Sequence, residues 1–167
     1  MVSKLDYLGI AILFLGSAYP YISYKYACGR FIFWRHVFVS IITVLTIICA
    51  IATMKPTFAS PMMRSALFGL FGVGLIVPVI VLYATYDPQY ALPPDFGPYA
   101  WPCAVYFIGV IFYVTQVPER WRAGKFDTFG ASHQIFHVTV LIGIALTFSA
   151  SFKTYEDRLQ FTCPARS

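Results

Sequence analysis

Charge is what this sequence has least of. Asp, Glu, Lys and Arg together make up 11% of its 167 residues, against about a quarter in an ordinary soluble domain. So few charged groups cannot cover the surface of a soluble fold of this size. Disorder is excluded as well, because it requires low hydrophobicity. The 12 basic residues are scattered over several loops. They form no cationic stripe interleaved with exposed aromatics, so the chain has no nucleic-acid surface. Cysteine is sparse too. Cys28, Cys49, Cys103 and Cys163 show no Cys-x-x-Cys spacing, which removes the common zinc-ribbon and redox motifs. Cys49 and Cys103 lie inside apolar runs and are expected to be buried thiols. Cys28 and Cys163 lie in flanking segments, and their positions leave a disulfide between them open.

Apolar residues, by contrast, make up 59% of the chain, and aromatics 19%. This is the composition of an all-α, polytopic membrane protein. A helical span takes about 20 residues, so five spans use roughly 100 and leave the rest for loops and tails. Five apolar runs are present, predicting helices over about 5–27, 37–53, 65–85, 99–117 and 131–151 of a single membrane domain covering 1–167. None alternates in the manner of a membrane β-barrel strand. Gly69, Gly72, Gly74, Gly143 and Ala145 are small enough to let helices approach closely. Pro20 and Pro78 fall inside predicted helices and are expected to kink them.

With five spans the two termini lie on opposite sides of the bilayer. Lys4, Lys55, Arg64, Arg120, Arg122 and Lys125 then share the N-terminal side, and Lys25, Arg30, Arg35, Lys153, Arg158 and Arg166 the other. Six cations against six give the positive-inside rule nothing to act on. The segment 86–98, with Asp87 and Asp95 and no Lys or Arg, leans weakly toward the outside.

Ionisable groups at membrane depth are costly and mark candidate sites. Asp6, His133 and His137 are the three of interest. The two histidines are four residues apart, so both imidazoles leave one face of a helix. They can share a metal ion, or serve as hydrogen-bonded structural groups. Haem does not suit neighbours on one helix, and the protease motif His-Glu-x-x-His fails because Gln134 follows the first His. In the five-span topology Asp6 lies near the same interface as the pair, and two His with a carboxylate suit Zn²⁺. His36 falls on the opposite side. In the charged segment before the last span, Glu119 with Arg122 and Lys125 with Asp127 are expected to form loop ion pairs or helix-end contacts. Asp127 or Ser132 is the candidate cap of the last helix.

The stretch from Tyr113-Val114-Thr115-Gln116-Val117-Pro118-Glu119-Arg120 through Gly124-Lys125-Phe126-Asp127 to Ser132-His133-Gln134-Ile135-Phe136-His137-Val138 resembles the signature of the progestin and adipoQ receptor family, which is haemolysin III-related, and its adiponectin-receptor-like branch above all. Lys4-Leu5-Asp6-Tyr7, followed by Gly9-Ile10-Ala11 and Gly16-Ser17, is similar to the family's third membrane helix. The resemblance implies a seven-helix receptor with a cytosolic N-terminus and an extracellular or luminal C-terminus. It implies a zinc ion held by three His, two of them matching His133 and His137, with Asp6 matching the Asp that reaches the zinc through water. It also implies a ceramide-like lipid amide as substrate, membrane lipids as surroundings and an extracellular hormone as ligand. The chain departs from that pattern in beginning at the third helix, which reads as an N-terminal truncation lacking the third His. A non-catalytic scaffold or regulatory module without zinc is the competing expectation.

Overall fold

The computed structural model describes residues 2–55, 61–122, 124–126 and 129–164. Five helices follow one another: α1 (Val2–Lys25), α2 (Phe31–Met54), α3 (Pro61–Thr85), α4 (Gly97–Thr115) and α5 (Ser132–Gln160). No strand occurs among the described residues. Of the described helices, α2, α4 and α5 are long and apolar enough to cross a membrane. The chain divides into two compact units, one of residues 1–95 with 151–167 and the other of residues 96–150.

In the first unit α1 packs on α2, and α2 on α3. The faces of α2 show which solvent it is built for. Phe38, Ile42, Thr46, Cys49, Ala52 and Thr53 point inward, whereas Ile41, Val44, Ile47, Ile48 and Ile51 stand outward. A soluble helix would put polar groups on that outer stripe. Here it is apolar, as a lipid-facing stripe must be. The hydroxyls of Thr43 and Thr46 donate to the carbonyls of Val39 and Ile42 at 2.7 and 2.8 Å. Both hydroxyls are thereby satisfied by their own helix.

One end of this unit is tied by loops. Tyr26 is fully buried beside Phe31 and Phe38, and its hydroxyl donates to the Pro78 carbonyl. The Cys28 and Leu92 amides donate to the Tyr90 and Lys25 carbonyls at 2.9 and 3.2 Å. The buried Lys25 ammonium donates to the Pro93 carbonyl at 2.8 Å. Gly29 has φ +56°, and a Cβ there would lie 2.7 Å from the Tyr90 ring. Both the left-handed backbone and the ring contact therefore call for glycine. Arg30 pairs with Asp87 at 3.9 Å. A disulfide joins Cys28 to Cys163 across 135 residues of sequence, resolving the pairing that spacing left open.

The second unit holds α4 and the first part of α5, and they meet at glycine. A Cβ on Gly109 would fall 2.0 Å from Thr139 Oγ1, and one on Gly143 would fall 2.4 Å from the Tyr106 ring. Gly143 was legible as a packing residue. Gly109 was not, and Gly69 has open space where its Cβ would be. Cys103 corrects the expectation of two buried thiols: Cys49 is buried, but Cys103 is exposed on the surface of α4.

The helix ends differ from the hydropathy reading in ways that make physical sense. Hydropathy marks where lipid stops, not where a helix stops. α2 begins at Phe31 and takes in Arg35 and His36, and α5 runs to Gln160 through Lys153, Glu156, Asp157 and Arg158. Arg158 in the last turn suits the negative end of the helix dipole. α4 stops at Thr115 because Gln116 turns left-handed at φ 54° and Pro118 follows. Pro20 and Pro78 lie inside continuous helices, as does Pro102.

Two outcomes follow from these contacts. Replacing Gly109 with Ala should cost about 1–3 kcal/mol by overpacking, read as a lowered midpoint of thermal unfolding in detergent. Replacing Cys28 and Cys163 together with Ser should cost about 2–5 kcal/mol. The unaltered chain should migrate faster on non-reducing than on reducing gels, and the double variant should not.

Candidate metal centre at the start of α5

The first turn of α5 is held from outside the helix. Ser132, its first residue, is buried. Its amide donates to Glu119 Oε2 at 2.7 Å, and its hydroxyl donates to Glu119 Oε1. Glu119 thus satisfies an amide that has no partner within the helix. A negative carboxylate is also favoured at the positive end of the helix dipole. Two residues on, Gln134 Oε1 accepts from the Gly130 amide at 2.7 Å. This resembles the return arm of a capping box. The residue that breaks the protease motif is thereby committed to starting the helix.

Of the two roles expected for Glu119, the structure shows the helix-end contact: it holds Ser132 rather than Arg122, and Ser132 is clasped rather than acting as the cap itself. The expected Lys125–Asp127 pair, and Asp127 as a cap, lie outside the described residues. Glu119 titrates below the ordinary carboxylate range. Desolvation by burial pushes it up, but the hydrogen bonds from the Ser132 side chain and amide outweigh that and bring it down.

His133 and His137 follow directly. Their Nε2 atoms lie 3.1 Å apart, and their rings meet edge to face with centroids 4.6 Å apart. The i, i+4 spacing predicted a common face, and the rings share one. Tyr113 of α4 stacks beside His133 at 5.6 Å, and Phe136 lies 5.8 Å from His137. Aromatic walls of this kind restrict the imidazole rotamers. The Gly109–Thr139 approach lies just beyond, so the helix contact and the His pair share one stretch of α5.

Asp6 is half-buried on α1. It belongs to the first unit, and the two histidines to the second. The donor chemistry of the His pair fits zinc, which takes imidazole nitrogen. The spacing of the pair fits too. Two nitrogens each about 2.1 Å from one tetrahedral ion stand about 3.4 Å apart, close to the 3.1 Å between the imidazoles. His36 is exposed on α2. Sequence reasoning allowed Glu119 a helix-end contact but did not find its partner Ser132, and it missed Tyr113 as the wall of His133. Neither shares a helical period with the pair, so no local spacing could have found them.

Apolar helices with a half-buried, metal-suited His pair define a helical integral membrane protein. The pattern of the family described as haemolysin-III related matches residues 1–148, and the chain belongs to that family. It is 34% identical, over 97% of its length, to "Heptahelical transmembrane protein ADIPOR1" of Oryza sativa subsp. japonica, and covers 43% of that protein. It is 32% identical over 84% of its length to "Adiponectin receptor protein" of Drosophila melanogaster, covering 32% of it. It is 30% identical over 98% of its length to "Progestin and adipoQ receptor-like protein 1" of Caenorhabditis elegans, covering 38% of it. The chain therefore spans less than half the length of each of these three relatives. The membrane receptor-like family expected from the motifs is the one found.

The Glu119 clasp has a defined pH signature. Its carboxyl is depressed in the folded chain, so its contribution is present above the unfolded value and is lost as pH falls through the folded one. Hydrogen exchange at the Ser132 amide should stay slow from neutral pH down to about 4.5 and speed up only below that. In a Glu119→Gln variant, protection should be weak across the whole range.

Proposed function

We propose that this chain is the zinc-holding portion of a membrane receptor-hydrolase of the haemolysin-III-related family, acting on a ceramide-like lipid amide and responding to an extracellular hormone. The observation that carries the reading is the 3.1 Å separation of His133 Nε2 and His137 Nε2 on one helix face. Family membership supports it. His133 and His137 are the direct ligands. Asp6 joins them directly or through a water.

Bound zinc would supply an acidified water and a polarised carbonyl, the two requirements of amide hydrolysis. The chain's own residues do the rest. Asp6 would serve as the general base. Tyr113 and Phe136 hold the imidazole planes, and the Glu119 clasp fixes the turn from which both imidazoles project. A long-chain substrate suits the site because its tails reach it from the bilayer. On this reading the N-terminus is cytosolic and the C-terminus extracellular or luminal. The Cys28–Cys163 disulfide supports that orientation, since such bonds persist in oxidising compartments.

The test is metal content. The chain purified in lipid nanodiscs should carry about one zinc per molecule by elemental analysis. His133→Ala or His137→Ala should abolish it, and Asp6→Asn should weaken retention against a chelator. Folded, zinc-free protein after dialysis against zinc would instead favour the scaffold reading.

A further inference from the structure

The loop between α4 and α5, residues 116–131, has a second face that the metal centre does not use. Trp121 is 75% exposed and Phe129 86%. Arg120, Arg122 and Lys125 are exposed beside them, and among the described residues none of the three forms an ion pair. Glu119, the adjacent acid, is held by Ser132. The turn is compact: the Arg120, Trp121 and Lys125 amides donate to the Gln116, Pro118 and Arg122 carbonyls at 2.8, 3.0 and 3.2 Å. Both helices that the loop joins are candidate spans. Its two ends are therefore fixed at the membrane surface, and a compact turn cannot carry its side chains far from it.

We propose that this loop docks on anionic lipid headgroups of the leaflet it borders, with the three cations binding phosphate or carboxylate groups and Trp121 and Phe129 entering the headgroup and acyl boundary. Exposed aromatics of this size are out of place in water, whereas Trp is at home at headgroup depth, where its ring is half apolar and its N–H finds acceptors. The flanking Arg side chains match the opposite charge of acidic lipids, and juxtamembrane cations are drawn to such a surface. Lipid, rather than a protein partner, is the occupant because the leaflet is already within reach of a loop anchored at both ends.

The experiment uses the full chain in nanodiscs of neutral phosphatidylcholine containing about one-fifth brominated phosphatidylserine or about one-fifth brominated phosphatidylcholine. The Trp121 signal is the difference between the unaltered chain and Trp121→Phe, which removes the contributions of Trp34 and Trp101. Brominated phosphatidylserine should quench Trp121 at least about twofold more than brominated phosphatidylcholine at low salt. High salt should bring the two toward equality, because headgroup attraction is screened. A variant carrying Arg120→Gln, Arg122→Gln and Lys125→Gln should lose the preference. The salt titration on the unaltered chain decides the matter if that variant does not fold. Equal quenching by both lipids at low salt, or a preference indifferent to salt, overturns the proposal. Weak quenching by both would place Trp121 away from lipid, as a protein partner would.

Discussion

The rest of this structure depends on one constraint: in lipid, a polar group that the chain does not satisfy itself goes unsatisfied. The outward isoleucines and valines of α2 cost nothing there, and the hydroxyls of Thr43 and Thr46 are turned back onto their own helix. The same device recurs at Ser17, Thr85, Thr115, Thr147 and Ser149, each donating to the carbonyl four residues earlier. Packing between such helices gains little from hydrophobic burial, since lipid is as apolar as leucine. Close approach must therefore come from missing side chains, as at Gly109 and Gly143.

The constraint is hardest to meet where a helix begins, because its first amides have no partners within the helix. A buried helix start next to a polar site needs an acceptor from elsewhere in the chain, and Glu119 supplies two oxygens to Ser132. This is why a structural clasp and a metal-suited His pair occupy the same turns. The clasp fixes the backbone from which His133 and His137 project. The i, i+4 spacing then sets their nitrogens at a separation one ion can bridge. Support for first-shell ligands by surrounding hydrogen bonds is a general requirement of metal sites, and here it is met by a helix-end contact.

Period and composition made most of this legible. The apolar runs located five helices, the four-residue interval located the His pair, and the long motif running into α5 pointed to the family. What stayed hidden has a common cause. Glu119 stands thirteen residues before Ser132, across an irregular loop with no period to relate them, so an ion pair and a helix-end contact stayed equally open. Gly109 looks like any glycine in an apolar run until the helix opposite is known. The length of α5 beyond Ser151 was lost because hydropathy registers lipid, whereas its last turns are stabilised by charge and backbone bonding in water. Cys28 and Cys163 carry no local signal for each other at all, and only the folded chain brings their Cα atoms to 5.7 Å.

Residues 119–122 show how tightly these demands are interleaved. Glu119 is held at the start of α5. An extended strand would alternate these four side chains between two faces. The Arg120 amide is bonded to Gln116 and the Trp121 amide to Pro118, and in this turn Arg120, Trp121 and Arg122 are exposed. Glu119 is engaged at a helix end that needs an anion. Were Glu119 freed from Ser132, it would be a close counter-ion for Arg120 or Arg122, and the outer face would lose net charge as the start of α5 lost its clasp. The inner contact thus sets the electrostatics of the outer face, and both are properties of one turn.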